Sequence, residues 1–204
     1  MSLLPESSQQ ITFKPTCFST NYQNFNSISI MNHYFMSTEC VNVVYTNNNQ
    51  VDFIHKISGE NGDKIECKNT YIEIYPLTKN NIIIDVTDCY IIFFDLEDTE
   101  SLVQINKILN YISDFGDSSN KVYVIKIYMN EKNIKNNYTD DNIKVYLDNY
   151  GITNYVISSM NIDSSTETAK VIDTLTEETL QEKNKLDINI DINNDKSKSF
   201  CLLI

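Results

Sequence analysis

The last four residues carry the most recognisable chemistry in this sequence. They are Cys201-Leu202-Leu203-Ile204, and a polar stretch with Lys196 and Lys198 precedes them. A cysteine followed by two aliphatic residues and a final residue is the signal for attaching a prenyl group to the cysteine sulfur, and the enzyme needs an extended, unfolded lead-in. The sequence therefore predicts lipidation of Cys201 and contact with a membrane surface.

The other reactive side chains show no catalytic spacing. His33 and His55 lie among apolar residues without an Asp or Cys at a catalytic distance in sequence, which is typical of structural histidines. The cluster Glu97-Asp98-Glu100 predicts helix capping and solvated surface rather than a metal site. The remaining cysteines have no metal-ligand spacing and are interpreted as reduced cytosolic thiols: Cys17, Cys40, Cys67 and Cys89.

Charge and composition exclude several function classes. Sixteen lysines are scattered among 28 carboxylates, the net charge is −12, and the sequence contains no arginine. Nucleic-acid binding requires a basic patch, so we expect no nucleic-acid partner. Bidentate arginine recognition of phosphate and an arginine finger supplied in cis are also excluded.

Membrane contact is expected to come from the C-terminal tail. The N-terminal residues 1–5 are too short and polar for a signal peptide, and no apolar run is long enough to span a bilayer. One prenyl chain gives only reversible binding without a polybasic patch. Because Asp191 and Asp195 oppose the two tail lysines, residence on anionic membranes should be weak or depend on a partner.

The first part of the chain predicts a strand, a helix and a hairpin. Residues 11–18 resemble a strand, although Pro15 within it cannot donate to a sheet, and 27–35 has apolar residues at helical spacing. Two strand-like runs, 51–57 and 64–75, flank a glycine-containing loop. They predict an antiparallel hairpin.

Strands and helices then alternate. The run 90–94 is apolar without alternation, as in a strand covered on both faces, and a helix capped by Asp98 follows. Next come a strand at 121–129, a helix from Thr139 to about Gly151 and a short strand at 155–157. Ser164 and Glu167 then stand at capping-box spacing before a terminal helix. This order predicts an open α/β sheet. We expect an N-terminal extension at 1–10, one domain at 11–182 and a flexible tail at 183–204.

This order of elements resembles the Ras superfamily of small GTPases. Residues 88–109 (DCYIIFFDLEDTESLVQINKIL) resemble that family's fourth strand and following helix, and 155–160 (YVISSM) resemble the strand and loop over the guanine base. Residues 39–47 (ECVNVVYTN) are similar to the effector stretch of the Rho/Rac branch. The resemblance implies a small-GTPase-like α/β fold: an open mixed sheet, mostly parallel with one antiparallel hairpin, flanked by helices.

The resemblance also implies ligands, partners and site residues. It implies GTP or GDP with Mg²⁺, a geranylgeranyl group at Cys201, protein effectors or regulators, and a place on the cytoplasmic face of the plasma membrane. Asn26 and Ser27 would occupy the phosphate-loop Lys-Ser/Thr position, with Ser27 binding Mg²⁺. The base-contacting positions would be Asn130, Ser158 and Ser159, and the effector-like segment includes Glu39, Val43 and Tyr45.

The nucleotide-binding motifs of that family are nevertheless incomplete in this sequence. The first glycine of the chain is Gly59, so the expected phosphate loop at 18–27 has none, and the second-switch stretch at 76–80 keeps only its Thr. Val43 replaces the magnesium-binding Thr unless Thr46 substitutes, and Asn130 replaces the carboxylate that pairs with guanine. We expect a degenerate GTPase that binds partners. The alternatives are a working GTPase with phosphate contacts from Lys14, Lys79 or Lys126, and an unrelated α/β domain.

Overall fold

The computed structural model describes residues 10–21, 23, 25–37, 41–45, 50–58, 64–74, 87–117, 119–135 and 138–199. Within them, eight strands form one sheet in the order β3-β4-β5-β2-β6-β7-β8, and β1 also pairs with β5. The strands are β1 (Gln10–Phe13), β2 (Pro15–Ser19), β3 (Val41–Tyr45), β4 (Gln50–Ser58), β5 (Lys64–Glu73), β6 (Cys89–Asp95), β7 (Val122–Tyr128) and β8 (Tyr155–Asn161).

Among the described residues, four α-helices cover the two faces of the sheet. They are α1 (Ser27–Ser37), α2 (Ser101–Phe115), α3 (Asp140–Asn149) and α4 (Ser165–Ser199). Strand β6 is buried over its whole length, so its side chains alternate between two cores: Ile91 and Phe93 pack with residues of α1 and α4, while Ile92 and Phe94 pack with residues of α2 and α3. A strand buried on both faces has this continuous apolar sequence.

The predicted fold class is confirmed. The sheet is an open, mostly parallel mixed sheet of the small-GTPase type, with parallel pairs from β5 through β2, β6 and β7 to β8. The predicted hairpin is β4–β5, paired antiparallel from Gln50↔Ile72 to Ser58↔Lys64. Edge strand β3 was not predicted as a strand; it pairs antiparallel with β4 and is irregular, with Asn42 at a φ of 56°.

The first predicted strand is divided in two. Lys14 separates β1 from β2, and Pro15 occupies the first position of β2, where a missing backbone donor is tolerated. Both pieces pair in parallel with β5, so the chain keeps its direction across the break. The break therefore interrupts the strand without changing its direction or its register with β5.

Two helix predictions need correction in detail. Helix α2 begins at Ser101 rather than next to Asp98, whose carboxylate instead accepts the backbone N–H of Glu100 at 3.1 Å in the preceding turn. Helix α4 continues from the predicted terminal helix through 183–199, most of the segment that we expected to be a flexible tail. Among the described residues, none of the helices combines the length and the apolar character that crossing a membrane requires.

Candidate functional site

A cleft opens where the adjacent parallel strands β2 and β6 end. The chain leaves β2 toward α1 on one face of the sheet and leaves β6 toward α2 on the other. The point where successive connections go to opposite faces is where open α/β sheets bind their ligands. The cavity has a volume of about 650 Å³. Its position makes it the candidate binding site.

The cleft is strongly acidic. Four carboxylates line it, and no lysine is among the described residues at its wall. The described residues that line it are Thr20, Asn21, Gln23, Phe25, Asp95, Glu97, Asp98, Glu100 and Gln104. All four of these carboxylates come from residues 95–100, and carboxylates that line a cleft repel an anionic ligand. A nucleotide phosphate would therefore meet negative charge here.

Asp95, the last residue of β6, uses its carboxylate in hydrogen bonds that stabilise the floor of the cleft. It is 2% exposed, and one carboxylate oxygen accepts the side-chain N–H of Asn21 at 2.8 Å while the other accepts the backbone N–H of Glu97 at 2.8 Å. Its own backbone N–H donates to Thr20 Oγ1, which also shares a 2.9 Å hydrogen bond with Ser101. These contacts tie the ends of β2 and β6 to the start of α2.

Glu97 draws the loop after β7 toward the cleft. One of its carboxylate oxygens accepts the backbone N–H groups of Met129 at 2.7 Å and Asn130 at 2.6 Å, and the other accepts the side chain of Asn133 at 3.2 Å. Burial acts to raise the pKa of Glu97, but these hydrogen bonds and the nearby Lys135 outweigh burial and hold the pKa below its ordinary value. Glu97 is therefore charged near neutral pH.

The N-terminus of α1 is also satisfied from within the chain. Asn26 is the N-cap: its side-chain oxygen accepts the backbone N–H of Ser29 at 2.7 Å. The backbone N–H of Ser27 donates to the buried carboxylate of Glu73 at 2.8 Å, and Glu73 is the last residue of β5. The two predicted phosphate-loop residues thus lie at the start of a helix, as expected, but their contacts are intramolecular.

The structure does not bring the predicted base-contacting residues together. Asn130 caps the short helical turn Glu131–Asn133 by accepting the backbone N–H of Lys132. Ser158 and Ser159 lie inside β8, which continues to Asn161, so the expected loop there is strand. Both serines line a separate groove of about 400 Å³ between β8 and α4.

The effector-like segment forms the β3 edge of the sheet. Val43 packs partly against the core, while Val44 and Tyr45 are 54% and 51% exposed, and the Tyr45 hydroxyl donates to Asn32. Glu39, Thr46, Lys79, Cys201 and the second-switch stretch 76–80 lie outside the described residues.

The two described lysines among those that could have replaced a phosphate loop lie away from the cleft. Lys14 precedes β2, at the opposite end of that strand from the cleft, and its backbone N–H donates to Asp88. Lys126 lies within β7 and pairs with Asp140, the first residue of α3. Neither is among the residues that line the cleft.

The residues present do not fit a magnesium site at Ser27. The part of the chain that the structure describes holds no group of three or more His, Cys, Asp or Glu side chains suited to a metal ion. Ser27 is 2% exposed, its hydroxyl has no hydrogen-bond partner among the described residues, and its backbone N–H donates to Glu73. Of the four lining carboxylates, Asp95 and Glu97 accept hydrogen bonds from the chain itself.

Sequence reasoning missed two residues of this region, Asn21 and Glu73. The sequence did offer a signal for Glu73: it is a charged residue within the strand-like run 72–75 (IEIY), and a charge that becomes buried there needs a hydrogen-bond partner. Asn21 gave no signal, because its role depends on β2 and β6 lying side by side. Comparison with models of known protein families and with curated proteins finds no match to this sequence.

Proposed function

We propose that this chain is a degenerate member of the Ras superfamily, similar to the Rho/Rac branch, that acts at a membrane by binding protein partners. In this proposal it binds GTP or GDP weakly or not at all. The support is the small-GTPase-like fold, the sequence segments at 39–47, 88–109 and 155–160, and the acidic cleft where the nucleotide would lie.

The acidic cleft is the observation that carries this proposal. A carboxylate and a phosphate charge about 6 Å apart repel each other by roughly 3 kcal/mol at an effective dielectric constant of about 20. Four carboxylates line the cleft, and no lysine or glycine is among its described lining residues. Phosphate binding at a helix N-terminus needs free backbone N–H groups, but Ser27 and Ser29 already donate to side chains of the chain. Charge and hydrogen bonding therefore both oppose a nucleotide.

A working GTPase with substitute lysines has less support. Lys126 is engaged with Asp140, and Lys14 lies at the wrong end of β2. The alternative would then depend on Lys79 alone among the three candidates.

Equilibrium binding of fluorescently labelled GTP and GDP, with and without Mg²⁺, tests the nucleotide part of the proposal. We expect dissociation constants weaker than about 10 µM, with a small GTPase that has an intact phosphate loop as the positive control in the same buffer. Submicromolar binding of either nucleotide would refute the proposal that the nucleotide site is degenerate and would support a working GTPase. The same experiment at low and high salt should show no recovery of binding, because hydrogen-bond donors as well as charge are unfavourable.

The lipid anchor is tested separately. Intact-mass measurement of the protein from eukaryotic cells should show geranylgeranyl addition, and Cys201→Ser should abolish both the mass increase and membrane association. An unmodified Cys201 that still carries residues 202–204 would contradict the anchor without affecting the nucleotide prediction.

The exposed β3 edge is the surface that we propose for partners. Val44 and Tyr45 are half exposed on an edge strand, whose outer backbone groups and side chains are suited to recognising an extended segment. Replacing both residues by Ser should reduce partner proximity labelling at the membrane. Val145→Ser on α3, which is 57% exposed, is the matched control and should leave the labelling pattern unchanged.

A further inference from the structure

Strand β8 forms one edge of the sheet and is paired on one side only. It is the last strand in the sheet order, and all seven of its residues pair in parallel with β7 in one unbroken register. Sheet edges are commonly protected by charged residues, proline or bulges. Strand β8, with the sequence YVISSMN, has none of these along its length. It therefore presents a regular edge to which another strand can be added.

The pairing with β7 shows which backbone groups of β8 face outward. The N–H of Ile162, directly after the strand, donates to the carbonyl oxygen of Tyr128 at 3.0 Å, so the even-numbered residues of β8 bond to β7. The odd-numbered residues direct their N–H and C=O groups away from the sheet. At Asn161 that N–H donates to the Glu167 carboxylate at 2.9 Å. Within the described chain, the outward backbone groups without a hydrogen-bond partner belong to Tyr155, Ile157 and Ser159.

A groove of about 400 Å³ lies beside this edge, between β8 and α4. Its apolar lining comes from Val156 of the strand and from Val171 and Leu175 of the helix. Its charged lining includes Glu167 and Lys170. Successive side chains of a strand point to opposite faces of a sheet, so every second side chain of an added strand would lie on the face of the groove. The edge thus combines free backbone groups with a place for apolar side chains.

We propose that the β8 edge binds an extended peptide segment of a partner protein, which joins the sheet as an added strand. Glu167 occupies the outward N–H of Asn161, so the segment pairs over residues 155–159. Its alternate side chains are apolar and fit the groove. Its ends are basic, because the chain carries a net charge of −12, and the same charge opposes pairing with the β8 edge of a second copy. This inference does not depend on the proposed relationship to GTPases.

The probe is a fluorescently labelled peptide, Lys-Val-Thr-Val-Thr-Val-Lys with blocked termini, whose anisotropy is followed as the full chain is added. We expect a dissociation constant of roughly 10–100 µM. The same peptide with Glu in place of both Lys should bind at least about tenfold more weakly, because the chain repels it. Equal binding of the two peptides would refute a basic partner segment. No binding of the Lys peptide at about 1 mM chain would refute the edge site.

Two variants test the edge and the groove separately. Ser159→Pro removes one outward N–H while the even-numbered hydrogen bonds to β7 remain, and it should weaken binding of the Lys peptide roughly tenfold. Ser159→Ala keeps that N–H and is the matched control, with wild-type affinity expected. Thr174→Trp places a large side chain in the helical wall of the groove and should also weaken binding, which decides the test if Ser159→Pro does not fold. Wild-type affinity in either folded variant would overturn the proposal.

Amide hydrogen exchange measured by NMR gives a readout for single residues. In the free chain, the N–H of Ser159 should exchange on the order of a hundredfold faster than those of Ser158 and Met160, which bond to β7. The Lys peptide at about ten times its dissociation constant should slow exchange at Ile157 and Ser159 about tenfold. If the bound peptide slows neither amide, it binds elsewhere and the proposal is wrong.

The oligomeric state distinguishes a peptide partner from a second copy of the chain. Light scattering at roughly 100 µM should find a monomer, because two copies of this charge repel each other. A dimer that Ser159→Pro dissociates would assign the β8 edge to a second copy and refute the peptide proposal.

Discussion

Replacing Glu97 by glutamine should loosen the connection between the acidic cleft and the loop after β7. The Glu97 carboxylate accepts three hydrogen bonds, two from backbone N–H groups and one from Asn133. Glutamine keeps one oxygen but places an NH₂ group where the second oxygen was. The remaining oxygen can still accept the backbone pair and the Asn133 amide can rotate to accept from the NH₂, so the change mainly removes the charge that strengthens these hydrogen bonds.

The size of the effect can be bounded from these contacts. Hydrogen bonds to charged groups contribute about 1.5–3 kcal/mol each when buried, and less where water competes. Glu97 is partly exposed, so we expect Glu97→Gln to cost about 1–2 kcal/mol. In a chain of this size that corresponds to a fall in melting temperature of roughly 2–8 °C. Glu97→Ala loses all three contacts and should be less stable than Glu97→Gln.

The pH dependence gives a second, independent readout. The pKa of Glu97 is lowered in the folded protein, so its contribution to stability is present above the unfolded value of about 4.3 and is lost as pH falls through the lower folded pKa. The difference in melting temperature between wild type and Glu97→Gln should therefore be constant from about pH 5.5 to 7.5 and should shrink below about pH 4.

Glu100→Gln is the matched control, because Glu100 lines the same cleft and loses the same charge. Its side chain makes no hydrogen bond within the described part of the chain, so the change should stay within about 0.5 kcal/mol. Equal melting temperatures for Glu97→Gln and Glu100→Gln would show that the hydrogen bonds of Glu97 do not hold the loop. A Glu97→Gln difference that persists at low pH would refute the charge argument.

Two further predictions concern stability, measured by urea unfolding. Gly116→Ala should lower the free energy of unfolding by roughly 1–3 kcal/mol, because a Cβ there would lie 2.5 Å from the Tyr90 hydroxyl oxygen and 2.8 Å from the Ile112 carbonyl oxygen; no change in stability would contradict this packing reason. At Gly151 the space is open but φ is +69°, so Gly151→Ala should lower the free energy of unfolding by about 1–2 kcal/mol through backbone strain. Thr139→Ala should cost about 1 kcal/mol, because it removes the N-cap oxygen of α3 that accepts the N–H of Asn142; Thr139→Ser should recover most of that loss if the cap is the cause.

The fold was predictable because its strongest signals are local. The uninterrupted apolar run of β6 and the helical spacing of α2 identify a strand with two covered faces and the helix that packs on it. Thr139 before α3 and Gly151 after it also lie where capping chemistry places them. Edge strand β3 was missed, because its pairing with β4 depends on a tertiary neighbour and its residues matched an effector stretch instead.

The candidate site was less predictable because its contacts join distant parts of the chain. The absence of glycine before Gly59 directed attention to the residues after β2, but nothing local indicates that Glu73 meets Ser27 across 46 positions. Ser158 and Ser159 were placed in a loop by analogy, whereas the pairing of β8 with β7 extends the strand through them. Spatial neighbours, rather than local propensity, decide these positions.

Two carboxylates at strand ends, and a third two residues beyond β6, accept backbone hydrogen bonds at the same end of the sheet. Glu73 ends β5 and accepts the first N–H of α1, Asp95 ends β6 and accepts the N–H of Glu97, and Glu97 accepts two N–H groups after β7. In each case a backbone donor at the carboxyl end of the sheet is satisfied by the chain itself. Such donors are what a bound anion would otherwise use. These backbone groups therefore need no bound anion, because carboxylates of the chain itself accept their hydrogen bonds.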